Sequence, residues 1–185
     1  MAGFDPTHSV RFDLPRGRVT AGTDERHVLL SCAALNDLVL IAGAEAAAAV
    51  GRALGTSIGL RIAGRRGGAA GLHRASIEDF VSEMAGELAT LGIGLASIER
   101  WGRALVVAVD RPAVSDLPFL ASIVEGMLEG ASERPVRCLS LGRDTGVVRI
   151  LVASEVAVER TRRMLETGTA WTDALIRLQQ KGEGA

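Results

Sequence analysis

The chain has 185 residues, of which 48% are apolar, and its 21 basic and 22 acidic side chains leave a net charge of −1. It is long enough to bury a core and too apolar to remain disordered. The near balance of charge argues against a general nucleic-acid binder, which needs a basic excess.

Residues 1–17 read as an irregular lead-in punctuated by Pro6, Pro15 and Gly17, with His8 in a mobile tail. A single α/β domain is expected over 18–180, followed by a disordered tail at 181–185. No secretory leader is expected, because Asp5 stands where an apolar stretch would begin. Short strands are predicted at Arg18–Ala21 and near His27–Ser31. From Ala33 to about Ala63 the chain reads as an alanine-rich helix with a break near Gly43. Glu45, Arg52 and Arg61 interrupt this hydrophobic region, so no membrane span is expected and the location is read as cytoplasmic.

Two familiar signatures overlap here. Gly55-Thr56-Ser57-Ile58-Gly59 matches G-x-S-x-G, but a nucleophile elbow needs a strand ahead of its serine, and a helical run precedes Ser57. His73 is the only later histidine, and no acid lies between it and Ser57. Gly59–Arg66 lacks the Lys and hydroxyl of a phosphate loop. The glycines follow a different rule. Gly43, Ala47, Gly51, Gly55, Gly59 and Ala63 recur every four residues and form one ridge of small side chains on a helix. Each helical glycine costs about 1 kcal/mol relative to alanine, so close approach of another element should offset it. Gly51, Gly55 and Gly59 are therefore candidate interface residues, against either this chain or a second copy.

The segment 64–71 (GRRGGAAG) reads as a loop, and Arg61, Arg65, Arg66 and Arg74 as a solvated helix end. Ser76 should cap an amphipathic helix carrying Ile77, Phe80, Val81, Met84, Leu88 and Leu91 on one face, with Glu83 and Glu87 facing solvent. His27 and His73 each lie near an arginine, which suggests surface positions.

The rest of the chain contains one pattern twice. Residues 93–109 and 136–153 each read as strand, turn, strand, and GRALVVAVDRPAV (102–114) matches GVVRILVASEVAV (146–158) in pattern. Between them a helix opens at Asp116 and Pro118 and closes at Gly130. Another runs from Ser154 to Gly168, and a last one at 170–180 would dock through Trp171, Ala174, Leu175 and Leu178. The expected fold class is α+β, an α-β-β-α-β-β-α core whose antiparallel four-stranded sheet carries helices on one side. Cys32 and Cys138 are read as two buried thiols rather than a bridge, and with three scattered histidines they make no metal set. No cofactor is expected.

This layout resembles the vinyl-four-reductase domain family and the related small subunits of TRAPP tethering complexes. The resemblance covers roughly 18–168. It rests on ALNDLVLIAGAEAAAAVGRALGTSIG with its spaced glycines, the two hairpins, and VRCLSLGRDTGVVRILVASEVAVERTRRMLETG. It implies a domain that binds a hydrophobic small molecule, as in sensors of aromatic-responsive regulators, or that serves as a dimerising module. The chain departs from the pattern in places. Cys138 stands alone where many bacterial members carry a cysteine cluster, and neither cysteine matches the acylated site of TRAPP subunits. With no Tyr, the haem motif of the distantly related nitric-oxide sensors is absent.

The leading reading is thus a non-enzymatic ligand-binding or sensory module. Its apolar pocket is expected between helices and sheet, with candidate lining residues Leu38, Ile41, Phe80, Met84, Trp101, Phe119, Ile123 and Met127. The alternative is an assembly module, a homodimer or an adaptor on a larger protein partner, using the glycine ridge or the charged helix around Glu159–Glu166. A tetrapyrrole-related reductase or its accessory protein comes third, since no nucleophile–base pair or cofactor fingerprint is found.

Overall fold

The computed structural model describes residues 4, 6, 10–21 and 25–180. His8 and the 181–185 tail lie outside them. In place of an irregular lead-in, strand β1 (Val10–Asp13) pairs antiparallel with β2 (Arg18–Ala21), and β2 pairs with β3 (Glu25–His27). Asp13 and Pro15 make the connection. The Asp13 carboxylate accepts from Arg16 N–H at 3.3 Å, and the proline fits the start of a 3-10 turn over Leu14–Arg16. The second predicted strand is shorter and earlier than expected, and Val28–Leu30 is exposed coil.

Helix α1 (Cys32–Arg65) opens at Ser31, whose hydroxyl accepts from Ala34 N–H at 3.2 Å. Gly43 breaks it, at φ 76° and ψ 167°, a backbone conformation that side chains with a Cβ avoid. Beyond the break, the small-residue ridge lies directly on α4 (Leu117–Ser132). A Cβ added at Gly51 would meet the Ser122 hydroxyl. One at Gly55 would meet the Ile123 carbonyl, and one at Gly59 the Met127 carbonyl. The fit is reciprocal, since a Cβ added at Gly126 would meet the Arg52 carbonyl and one at Gly130 would lie 2.7 Å from the Thr56 carbonyl. Gly130 thus serves close packing rather than ending α4, which continues to Ser132 and ends on Glu133 in the left-handed region.

Short α2 (Ala69–Leu72) occupies part of the predicted loop. Then α3 (Ile77–Thr90) begins at Ser76, which accepts from Asp79 N–H at 3.1 Å. Two hairpins form the main sheet, β4 (Leu95–Trp101) with β5 (Ala104–Asp110), and β6 (Arg137–Asp144) with β7 (Val147–Ala153). The strand order is β4-β5-β7-β6, antiparallel throughout, with Val107 opposite Ile150 and Val106 opposite Leu151. The second hairpin turns on Thr145 and Gly146, both at positive φ, which suits the twist of the flanking strands. Helices α5 (Glu155–Glu166) and α6 (Trp171–Gln180) close the chain.

Alternation along β5 and β7 sends side chains to two cores. Val107, Val109, Val148 and Ile150 join Ile58, Ile62, Met84, Leu88, Phe119, Ile123 and Met127 beneath α1, α3 and α4. Val106, Leu141 and Leu151 join Leu175 on the opposite face, with Trp171 and Leu178 beside them. The sheet therefore carries helices on both faces, not one. Helix α6 docks as its pattern suggested, with Ala174 and Leu175 fully buried.

By length and composition α1 could cross a membrane, contrary to the expectation from its charges. Its most apolar 18-residue window has a mean hydropathy of 1.5, and only 11% of that window is buried. Past Gly43, however, Gly51, Gly55, Ile58, Gly59 and Ile62 of the same helix are built into the main core.

Candidate functional site

A cleft of about 830 Å³ opens where α1, α4, β6 and α5 meet. Its apolar wall comes from Ala48, Pro118, Ala121, Leu139 and Val158, and its polar rim from Arg52, Ser122, Glu125, Glu129, Arg137, Ser140 and Arg162. Cys138 lies among them. Two carboxylates from α4 hold the start of β6 in place. Glu125 accepts from Cys138 N–H at 2.8 Å, and Glu129 accepts from Val136 N–H at 3.1 Å. The Arg137 guanidinium lies 3.5 Å from both. Ser122 donates to the Phe119 carbonyl at 2.7 Å, so its proton is already engaged.

Burial pushes the Cys138 thiol far above its usual range, and the negative charges of Glu125 and Glu129 push it further. It is a neutral, weak hydrogen-bond donor at physiological pH, not a nucleophile. The cleft thus combines an apolar wall with a mouth of mixed charge, in which Arg137 pairs with Glu125 and Glu129, Arg162 with Glu159, and Arg52 adds a third guanidinium. That chemistry suits noncovalent binding of a small molecule with an apolar body and a hydroxyl or anionic edge. Among the described residues no group of three or more His, Cys, Asp or Glu side chains is placed to hold a metal.

The predicted lining residues do not converge on this cleft. Met84, Phe119, Ile123 and Met127 are fully buried and fill the main core. Phe80 packs at the edge of that core. Trp101 lies elsewhere, edge-on to Trp171 at 5.0 Å between ring centroids. Leu38 and Ile41 are exposed, at 53% and 81%. The glycine interface is also resolved, because Gly51, Gly55 and Gly59 are covered by α4 of the same chain and leave no face open to a second copy.

The cleft has a signal in the sequence. Ser122, Glu125 and Glu129 fall at i, i+3 and i+7 along an otherwise apolar helix, a polar stripe in place of core.

Two charged clusters also differ from expectation. Glu83 and Glu87 are buried rather than solvated, because Arg61, Arg65 and Arg66 cross from α1 to meet them. Arg61 reaches Glu87 at 3.0 Å. Arg65 reaches Glu87 at 2.6 Å and Glu83 at 2.8 Å, and Arg66 reaches Glu83 at 3.2 Å. Arg74 and its neighbour His73 are exposed, and Arg65 keeps part of its side chain in solvent while it pairs. Ser57 sits within helix α1 and accepts from Arg61 at 3.0 Å, so neither glycine motif has the strand–turn–helix setting it requires. On the other face, Arg149 makes two hydrogen bonds to Glu99 at 3.0 and 3.2 Å and lies 5.3 Å above the Trp171 ring. The Arg149 hydrogen bonds hold the Glu99 carboxyl below its ordinary range. Partial burial opposes them, and a bond from Trp101 adds to them.

No family model matches this sequence, and no curated protein does either. Among solved structures, the chain is similar to the phenol-responsive sensory domain of the transcription activator PoxR, crystallised with phenol. The TM-score is 0.57 at 14% identity, over 78% of this chain and 84% of that one. The fold is similar to that of a sensory domain. At this identity the likeness concerns the fold alone, and the resemblance to the vinyl-four-reductase family finds no family model behind it.

Proposed function

We propose that the protein is a non-enzymatic sensory module that binds a small, largely hydrophobic molecule in the cleft between α1, α4, β6 and α5. The observation that carries this is the fold shared with a domain that responds to phenol. The cleft supports it. Its volume suits a ligand of drug size or smaller, and the arginines in its rim suit a hydroxyl or carboxylate edge. In this reading Ala48, Arg52 and Cys138 contact the ligand, while Phe119, Ile123 and Met127 anchor α4 in the main core. The domain is vinyl-four-reductase-like, spans residues 18–180 and works in the cytoplasm.

Native mass spectrometry of freshly purified protein, followed by thermal melting with phenol and benzoate, tests the reading. A ligand that binds only the folded state raises the melting temperature in proportion to ln(1 + [L]/Kd). The expected result is carried-over mass lost on denaturation, or a melting shift that Ala48→Phe abolishes. A protein with no extra mass and no shift across a panel of phenols and aromatic acids would overturn it.

A second reading, a homodimer or an adaptor acting through protein–protein contacts, is favoured by the apolar residues that the fold leaves uncovered between Phe12 and Val50.

A further inference from the structure

Exposed large apolar side chains are concentrated in the first quarter of the chain. Val28, Leu29, Leu30, Leu38, Leu40 and Ile41 are each between 53% and 82% exposed. Helix α1 ahead of Gly43 touches the body along one line only. Leu35 and Val39 pack on the core, and the Asn36 amide donates to the Ala113 carbonyl at 3.0 Å and accepts from Ser115 N–H at 2.7 Å. Among the described residues its remaining faces are uncovered. Soluble monomers rarely expose a contiguous apolar surface of this kind.

Charge divides this stretch into two unlike parts. From Val28 to Gly51 the only charged residues are Asp37 and Glu45, both acidic and both exposed. The β1–β3 meander carries Arg11, Arg16, Arg18 and Arg26 against Asp13 and Glu25, and its four arginines line a cleft of about 540 Å³ in which Asp13 pairs with Arg16. An acidic apolar helix and a basic arm on one chain complement each other twice in a two-fold dimer, each arm lying on the partner's helix. The area fits as well. Exposed positions over 11–18 and 26–50 number 25, within the roughly 20–30 residues per side of a standard interface.

We infer that the first part of α1, with the coil ahead of it, is the docking surface for the arginine-lined β1–β3 arm of a second copy of this chain. The inference rests on the assembly reading and is independent of the ligand.

Sedimentation velocity of the full chain over a concentration series is the experiment. The wild type should dimerise with a Kd in the micromolar range or below. Leu40→Arg/Ile41→Arg should weaken dimerisation at least about tenfold with an unchanged circular dichroism spectrum, because both positions are exposed. Asp37→Arg/Glu45→Arg and Arg18→Glu/Arg26→Glu should each be monomeric alone, because like charges then face each other at both contacts, and should form a heterodimer when mixed, since the basic helix of the first meets the acidic arm of the second and the acidic helix of the second meets the basic arm of the first. A wild type that stays monomeric overturns the assembly reading as a whole. A dimer of unchanged strength in Leu40→Arg/Ile41→Arg overturns this interface while leaving assembly intact. Mixed charge variants that stay apart overturn the arm as the occupant. Flotation of the monomer with phosphatidylglycerol vesicles would assign the face to lipid and also overturn the inference.

Discussion

Cys138 and Glu99 show how a neighbour sets a side chain's chemistry. The buried Cys138 thiol sits beside two carboxylates, whereas Cys32 is exposed at the start of α1. One equivalent of maleimide should therefore label the native protein at neutral pH, at Cys32, and both thiols should react only in denaturant; intact mass reads the difference. Glu99 supplies a pH dependence. Its folded pKa lies below the unfolded value of 4.5, so the Arg149 contact stabilises the fold above that value and is lost as pH falls through the folded pKa. Glu99→Gln should lower the melting temperature near neutral pH, and the gap from wild type should close in acid. A gap that stays constant with pH would show that Glu99 acts through packing alone.

The α1–α4 contact turns a spacing rule into a stability rule. At Gly55 an added methyl meets the Ile123 carbonyl and lies 2.7 Å from Met127 N, both backbone atoms that cannot step aside. Gly55→Ala should destabilise by about 1–3 kcal/mol or more, as overpacking does. Gly64 belongs to the same helix but has nothing within 4 Å of an added Cβ. Gly64→Ala should stabilise by about 0.5–1 kcal/mol by restricting the unfolded chain. Urea denaturation of both variants checks the pair, and equal effects would contradict the packing geometry.

Both hairpins, the Ser76 cap and the Gly43 break were legible because each depends on residues close in sequence. Burial of Glu83 and Glu87 was not legible. It depends on arginines 17 to 26 positions away reaching across from another helix, and no local pattern distinguishes a solvated glutamate from one paired that way. The predicted lining residues met a related difficulty. Large apolar residues such as Met84 and Phe119 suit either a pocket or a filled core, and only the approach of α1 to α4 decides between them.

Across the whole molecule, β5 and β7 are shared by both cores, since their odd and even residues face opposite ways. The chain has two tryptophans and no tyrosine, and Trp101 and Trp171 pack edge-on at the α6 side of the sheet. Intrinsic fluorescence therefore reports on the second face, and far-UV circular dichroism mainly on the helices of the first. Because the same strands carry both cores, the two signals should change together in urea, at one midpoint. Separate midpoints would show that α6 detaches before the body unfolds.

The bend at Gly43 has a calorimetric consequence. Leu38, Leu40 and Ile41, ahead of it, are already wet in the isolated folded chain, so unfolding exposes little more of them. They add little to the heat capacity of unfolding, which the residues after the bend supply. Whatever covers the leading segment collects that quantity instead, as a negative heat-capacity change on association. One helix thus divides its hydrophobic hydration between two reactions, folding behind Gly43 and association ahead of it.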